Sequence, residues 1–217
     1  MLEIKNWQVY DLLPSVIACR NAMRTEMPEY TEEEFEKSLP RAIQLANTPN
    51  GSGHQTFLSG IRVSFDIKYP NYISPELQRY HWIDIVTSSS KMHKLLQMNL
   101  DMACNKYVSQ VTIAHMRNLI DDYNQILNNE SEYSIFYLRN GEEIHARGKK
   151  DMLYHKWMQI ISNCPHGLEL FMRVSTNYLQ IRTIVHQRYN HKLSEDWGAF
   201  NDFARGLTYA REFIFRK

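Results

Sequence analysis

The sequence predicts an α+β protein in which helices flank an antiparallel sheet, and two patterns carry this prediction. Residues 61–68 alternate apolar and polar side chains, which is typical of a strand with one buried face. Residues 107–128 instead place apolar side chains at helical spacing, which predicts a long amphipathic helix. The length favours one domain over 1–217, with a hairpin excursion at 131–150 around Asn140-Gly141.

The remaining elements follow in chain order from the same two periodicities. Strands are expected at about 2–9, 60–68 and 168–175, and helices at 14–24, 32–47, 75–78, 107–128, 151–162, 177–190 and 196–213. Thr31 with Glu34 forms a capping-box pattern at the start of the second helix. Pro40 predicts a break within that helix, because proline removes a backbone donor from the helix interior.

Composition and charge exclude several classes of protein. The 25 basic and 24 acidic residues give a net charge of +1 without a basic stripe, so duplex nucleic acid is not an expected partner and a single nucleotide is. Neither the nine histidines nor the three cysteines show metal-ligand spacing, so no metal site is expected. Sparse cysteines and the lack of an 18-residue apolar stretch indicate a cytoplasmic protein without a membrane span.

The first candidate binding segment is residues 79–91, which opens with Arg79, an aromatic residue and His81. It ends in a run of hydroxyls and a lysine, namely Ser88, Ser89, Ser90 and Lys91. Consecutive hydroxyls with exposed backbone N–H groups and a lysine suit the binding of phosphate. A polar loop that caps a helix starting near Met92 accounts for the same residues.

The second candidate segment is residues 177–192, in which Arg188 lies three helical turns after Asn177 on nearly the same face. An inward-facing arginine near a helix end is costly unless it meets an anion. The segment is therefore either a wall of an anion site or a solvated basic face. The two segments together predict one anion-binding site, built from residues 53–92 and 164–193.

These segments resemble the flavin-dependent thymidylate synthases. The signature of that family, RHRxxSxNExSxR, can be laid on residues 79–91 without a gap, so that its first arginine falls on Arg79 and its second serine on Ser89. The upstream family segment G-H-x-S-P-x-E-H matches residues 53–57 in part, including His54. Pro165, Asn177 and Arg188 keep the spacing of the distal family residues, and Lys91 stands where the signature ends in arginine.

The resemblance implies a one-carbon transfer from a folate to C5 of a pyrimidine deoxynucleotide, dUMP. Arg188 would then stabilise the charge that develops on the pyrimidine, as well as bind it. The residues implied to contact FAD are His54, Arg79, His81 and Asn177, and those implied to hold the nucleotide are Ser88, Ser89, Ser90, Lys91 and Arg188. NADPH and methylenetetrahydrofolate are the implied co-substrates.

The resemblance also implies a homotetramer with shared active sites, of a divergent kind associated with bacteriophage genomes. It leaves an alternative, since Tyr80, Val86 and Thr87 stand where the signature has histidine, asparagine and glutamate. Those departures favour a non-catalytic nucleotide-binding protein on the same fold that has lost the flavin. Whether the chain is an enzyme therefore stays open at this point.

Overall fold

A computed structural model describes residues 1–49, 51–128 and 135–215. The strands are β1 (Glu3–Tyr10), β2 (Arg62–Pro70), β3 (Asp84–Ser88), β4 (Ile135–Tyr137), β5 (Glu143–His145) and β6 (Glu169–Asn177). The helices are α1 (Leu12–Ala18), α2 (Glu32–Ala46), α3 (Ser74–Leu77), α4 (Lys91–Lys94), α5 (Leu100–Ala103), α6 (Gln110–Asn128), α7 (Lys149–Asn163), α8 (Tyr178–Arg188), α9 (Ser194–Arg205) and α10 (Ala210–Phe213).

The chain divides into two compact units. The sheet unit comprises Met1–Tyr69, Ile73–Ser89 and Phe171–Lys217, and the helical unit comprises Pro70–Tyr72 and Ser90–Leu170. The expectation of a single domain over the whole length stays a prediction.

A four-stranded sheet, in the order β1-β2-β6-β3, forms the centre of the sheet unit. β1 pairs antiparallel with β2, and β3 pairs antiparallel with β6. The three predicted strands correspond to β1, β2 and β6, with each end within two residues of its predicted position. The predicted α+β class with an antiparallel sheet is confirmed.

One face of this sheet is buried under α9. Val63, Phe65 and Ile67 alternate along β2 and are almost fully buried, as the period of two requires. The rings of Phe65 and Phe203 lie 4.7 Å apart, and Trp7 of β1 meets Phe203 edge-on at 5.9 Å. This aromatic packing holds α9 against the sheet and supplies much of the core of the unit.

The opposite face, called here the polar face, carries hydrophilic side chains from neighbouring strands. Arg173 of β6 donates to the Ser64 hydroxyl at 2.8 Å and pairs with Asp66 of β2 at 3.1 Å. A bulge in β1 gives Asn6 a left-handed φ of 52°, and its side-chain amide donates to Asp66 at 2.7 Å. The hydrogen bond from Asn6, followed by that from Arg173, holds the pKa of Asp66 below its ordinary value.

The helical unit consists mainly of α6 packed against α7, with the antiparallel β4–β5 hairpin beside them. Ile126 and Met152 are buried together there, and Ile144 of β5 packs on them. The first residues of the predicted excursion, 131–134, lie outside the described part of the chain. At 19 residues α6 is the longest described helix, as its periodicity predicts.

Gly167 is required in the helical unit by close packing. A Cβ atom at this position would lie 2.4 Å from the Val108 side chain and 2.8 Å from the side-chain oxygen of Asn105. Asn105 is buried there, and its backbone N–H donates to the Gly167 carbonyl at 2.9 Å. Any larger residue would have to push these groups apart.

The predicted break at Pro40 is wrong, because α2 runs unbroken from Glu32 to Ala46 with the proline inside it. The lost hydrogen bond is offset by burial of the helix face that carries Phe35, Ala42 and Leu45. The expected Thr31 cap is confirmed, since its hydroxyl accepts the Glu34 N–H at 3.2 Å.

The single helix expected over 196–213 is wrong, since α9 ends at Arg205 and α10 begins at Ala210, after Tyr209 with a left-handed φ of 54°. The alternative reading of residues 79–91, a polar loop before a helix, is correct only in part. The helix α4 does begin at Lys91, but residues 84–88 form the edge strand β3. The β-branched residues Ile83, Ile85, Val86 and Thr87 are the signal that indicates this strand.

Candidate functional site

A cleft in the sheet unit brings the segment before β3 against α8. Its volume is about 450 Å³, and it is lined by Arg79, Tyr80, His81, Trp82, Leu179, Gln180, Thr183, Gln187 and Arg188. The structure therefore brings together the start of the first candidate segment and the end of the second. Three of the sequence-predicted site residues, Arg79, His81 and Arg188, line this cleft.

Arg188 closes the last turn of α8 and is held by groups from three directions. Its Nε donates to the Tyr80 hydroxyl at 2.9 Å, and its Nη1 lies 3.2 Å from the Glu76 carboxylate. Its guanidinium also lies over the Trp197 ring, 4.8 Å from the ring centroid. Among the described residues, none makes a hydrogen bond or an ion pair with its Nη2, so this donor remains available for a ligand.

Glu76 and Trp197 are the residues of this network that sequence reasoning missed, and Glu76 matters most. Its carboxylate accepts the indole N–H of Trp197 at 2.9 Å besides pairing with Arg188. The arginine side chain is 15% exposed and that of Glu76 25%, so the pair is largely withdrawn from water. The anion that an inward-facing Arg188 requires is therefore supplied by the protein itself, in contrast to the argument that it needs a bound ligand.

His191 completes the surroundings of Arg188. Its Nε2 lies 2.9 Å from Arg188 Nη1, and its Nδ1 lies 3.2 Å from the backbone N–H of Leu193. Both neighbours are donors, while a neutral imidazole has a single acceptor nitrogen. Only one of the two contacts can therefore be a hydrogen bond at a time, and Glu76 Oε1 also lies 3.7 Å from Nε2.

The opposite wall of the cleft is more open. The Trp82 indole is 65% exposed, while its carbonyl accepts the Thr176 hydroxyl at 2.7 Å, which fixes the backbone beneath it. Arg79 and His81 are exposed beside it. No described residue pairs with the Arg79 guanidinium, so the cleft contains an uncompensated positive charge next to an aromatic surface.

Asn177 and His54 do not line this cleft. Asn177 caps α8, where its side-chain oxygen accepts the Gln180 N–H at 2.9 Å, and it is only 3% exposed. His54 is exposed in the loop before the turn Thr56–Ser59. The cofactor contacts expected of these two residues stay predictions.

Ser88 and Ser89 line a different cleft of the sheet unit, of about 490 Å³, at one end of the polar face. The cations that line it with them are Lys5, Lys68 and Arg173. Ser89 extends the pairing of β3, because its N–H donates to the Phe171 carbonyl at 2.8 Å and its hydroxyl accepts the Phe171 N–H at 3.0 Å. A serine hydroxyl that accepts one hydrogen bond can still donate its own proton to a ligand.

Ser90 and Lys91 belong to the helical unit, where they begin α4. The Ser90 hydroxyl lies 2.9 Å from His93 Nδ1, so it already has a hydrogen-bond partner within its own segment. The predicted hydroxyl and lysine cluster is therefore divided between the two units. Within the sheet unit, the two serines and Arg188 line separate clefts.

No family model matches the sequence, and no curated protein matches it. Solved structures do match, and they give the chain the fold of the flavin-dependent thymidylate synthases. One is the crystal structure of the flavin-dependent thymidylate synthase ThyX from Helicobacter pylori complexed with FAD and dUMP, with a TM-score of 0.60 and 16% identity over 99% of this chain and 97% of the other. A second ThyX structure from Helicobacter pylori with FAD and dUMP has a TM-score of 0.59 and 15% identity, over 100% and 98%.

Neither a membrane-spanning helix nor a cluster of metal-binding side chains is found among the described residues. No helix among them has both the length and the apolar character needed to cross a bilayer. No group of three or more His, Cys, Asp or Glu side chains is arranged there to hold a metal ion.

Proposed function

We propose that this chain is a flavin-dependent thymidylate synthase-like enzyme that transfers a one-carbon unit from a folate to C5 of dUMP. The observation that carries the proposal is the cleft of Arg79, Tyr80, His81, Trp82 and Arg188, on a fold shared over nearly the whole length with enzymes solved in complex with FAD and dUMP. The same fold can host other activities, so the site has to support the assignment.

The residues of the cleft fit a flavin. Trp82 presents a largely exposed indole on which a planar ring can stack, and Arg79 has no pairing partner among the described residues. A flavin nucleotide combines a planar ring system with phosphates, so it satisfies both groups. When bound, a reduced flavin supplies hydride and mediates the one-carbon transfer, which no side chain of the cleft performs.

The side chains of the cleft would bind, orient and polarise. Arg79 would pair with a phosphate of either nucleotide, while His81 would contact the same ligand from the adjacent position. Arg188 would present Nη2 to the pyrimidine from a fixed direction, because Tyr80 and Glu76 hold its Nε and Nη1. Since Glu76 balances its charge, Arg188 acts mainly as a preorganised hydrogen-bond donor.

The predicted site residues that lie outside this cleft, Asn177 excepted, are proposed to reach the ligands from other copies of the chain. We propose a homotetramer in which His54 and the segment from Ser88 to Lys91 complete the nucleotide and flavin sites, while Asn177 supports the site as the cap of α8. NADPH and methylenetetrahydrofolate are the proposed co-substrates. We also propose that the protein is of bacteriophage origin and acts in the cytoplasm. Light scattering tests the assembly, since a mass near that of one 25.8 kDa chain would contradict shared sites.

Absorbance spectroscopy with a dUMP titration tests the proposed reaction chemistry. The purified protein, supplemented with FAD and freed of excess, is expected to retain the visible absorbance of bound flavin. Addition of dUMP is expected to perturb that spectrum, because the pyrimidine and the flavin share one cleft. A protein that retains no flavin and shows no nucleotide-dependent change would contradict the proposal.

A non-catalytic nucleotide-binding protein is the second candidate, and one observation favours it. Glu76 neutralises Arg188 within the chain, which reduces the positive charge available to stabilise a developing anion. Under this alternative the protein binds dUMP in a calorimeter but retains no flavin after purification. The two measurements together therefore separate the two candidates.

A further inference from the structure

A third cleft in the sheet unit lies where three helices approach one another. Its volume is about 510 Å³, and it is lined by His186 of α8, by Tyr189 directly after α8, by Arg205 of α9 and by Arg211 of α10. Phe215 closes one side. Two arginines and a histidine line it, and among the described residues no carboxylate does, in a chain whose basic and acidic residues are nearly equal in number.

The positions of some of these basic side chains in the fold account for them, but not the positions of all. His186 and Arg205 lie in the last turns of α8 and α9, where a cation is stabilised by the helix dipole. Arg205 also pairs with Asp202 at 2.6 Å. Arg211 lies in α10, a helix of only four residues, and no described carboxylate pairs with it.

Arg211 is exposed, and no hydrogen bond or ion pair joins it to any described residue. A guanidinium without an internal partner at the mouth of a concave site is suited to an external anion. The planar fork of an arginine matches the oxygen atoms of phosphate, and Arg205 stands on the neighbouring wall.

Aromatic side chains line the rest of this cleft. The Tyr189 ring is 60% exposed, and the Arg205 guanidinium lies 5.1 Å from the centroid of the Phe215 ring. A planar ring of a ligand can stack on Tyr189 while a phosphate attached to it meets the arginines. The size of the cleft is within the range usual for small-molecule sites.

We infer that this cleft binds a phosphate monoester that carries an aromatic ring, of the nucleoside monophosphate class. It is distinct from the cleft of Arg79 and Arg188, since the two share no lining residue and lie on different sides of α8. The inference does not rest on the proposed reaction, because it uses none of the residues assigned to it.

Calorimetric titration with AMP, adenosine and inorganic phosphate tests this inference. AMP is expected to bind most tightly, because it alone engages both the arginines and the aromatic wall. Arg211→Gln is expected to weaken AMP binding about tenfold or more, in keeping with the loss of a charged hydrogen bond. Tyr189→Ser is expected to weaken AMP binding more than phosphate binding.

Arg79→Gln is the matched control, since it removes an exposed and unpaired arginine from the other cleft. It is expected to leave AMP binding at the cleft of Arg211 unchanged, because Arg79 does not line that cleft, while it weakens dUMP binding under the proposed function. The inference is overturned if AMP binding falls in Arg79→Gln but not in Arg211→Gln. It is equally overturned if inorganic phosphate binds as tightly as AMP, or if none of the three probes binds.

Discussion

Two arginines of the sheet unit each pair with a carboxylate, yet their surroundings differ. Arg188 pairs with Glu76 at 3.2 Å inside a network that includes Trp197, and both charged side chains are mostly withdrawn from water. Arg173 pairs with Asp66 at 3.1 Å on the polar face, where the Asp66 side chain is 41% exposed. The first pair is a fixed part of a cleft wall, whereas the second is one of several partly solvated contacts on a sheet.

The comparison shows how a ligand site differs from a merely charged surface. On the polar face, Arg173 is satisfied by Asp66, Ser64 and the backbone carbonyl of Asn6. Beside α8, the internal network leaves one donor of Arg188 available and places the unpaired Arg79 next to Trp82. A nucleotide site requires hydrogen-bond donors and cationic side chains that are not already paired within the protein.

The largest change in stability is expected from breaking the more buried pair. Glu76→Ala should lower the free energy of unfolding by about 2–3 kcal/mol, because it leaves Arg188 and the Trp197 N–H without their acceptor. Asp66→Ala should lower it by about 0.5–1 kcal/mol, since exposed pairs contribute little. Urea unfolding of both variants measures the difference.

Glu76→Gln is the control for this prediction. It keeps an acceptor for Trp197 but removes the charge, so its effect should fall between that of Glu76→Ala and the wild type. Equal losses in Glu76→Ala and Asp66→Ala would show that the two pairs are energetically alike, and the comparison would fail.

Trp82→Ala is expected to reduce ligand binding without loss of stability. The exposed indole contributes little to the core, while a stacked ring typically contributes about 1–3 kcal/mol of binding free energy. Retention of flavin after gel filtration should fall, and the urea midpoint should stay at the wild-type value. Ile85→Ala, an exposed apolar residue of β3 outside this cleft, is the control and should retain flavin normally.

The smallest effect concerns the acid stability of the polar face. Because hydrogen bonds from Asn6 and Arg173 lower the folded-state pKa of Asp66, its stabilisation is complete above the unfolded-state pKa of about 3.9. That stabilisation is lost as the pH falls through the lowered folded-state pKa. Asp66→Asn should therefore make stability less dependent on pH below about 4, as urea unfolding across that range would measure.

The periodicity of apolar residues predicted those strands and helices that bury one face along their whole length. The alternation at 61–68 and the long helical spacing at 107–128 correspond to β2 and α6, because burial of one face imposes those periods locally. Pro40 misled the prediction, since tertiary burial of α2 outweighs the local cost of proline. The strand β3 was missed because it is an exposed edge with no alternation of burial.

The candidate site shows a sharper limit of sequence reasoning. The sequence suggested that Arg188 needs an anion, but spacing gives no indication that Glu76, 112 residues earlier, provides it. The run from Ser88 to Lys91 reads as one cluster in the sequence, whereas the backbone assigns it to a strand end and a helix start. Contacts between distant segments depend on the assembled fold, and no local pattern encodes them.

Calorimetric titration of dUMP into wild type, Arg79→Gln and Arg211→Gln tests the central assignment most directly. The cleft beside α8 is expected to bind dUMP, and Arg79→Gln should weaken that binding by about 1.5–3 kcal/mol, the contribution of a charged hydrogen bond. Arg211→Gln should keep dUMP binding at the cleft beside α8, because Arg211 lines a different cleft. Equal dUMP affinity in wild type and Arg79→Gln, or no dUMP binding to any of the three proteins, would contradict a nucleotide site in this cleft.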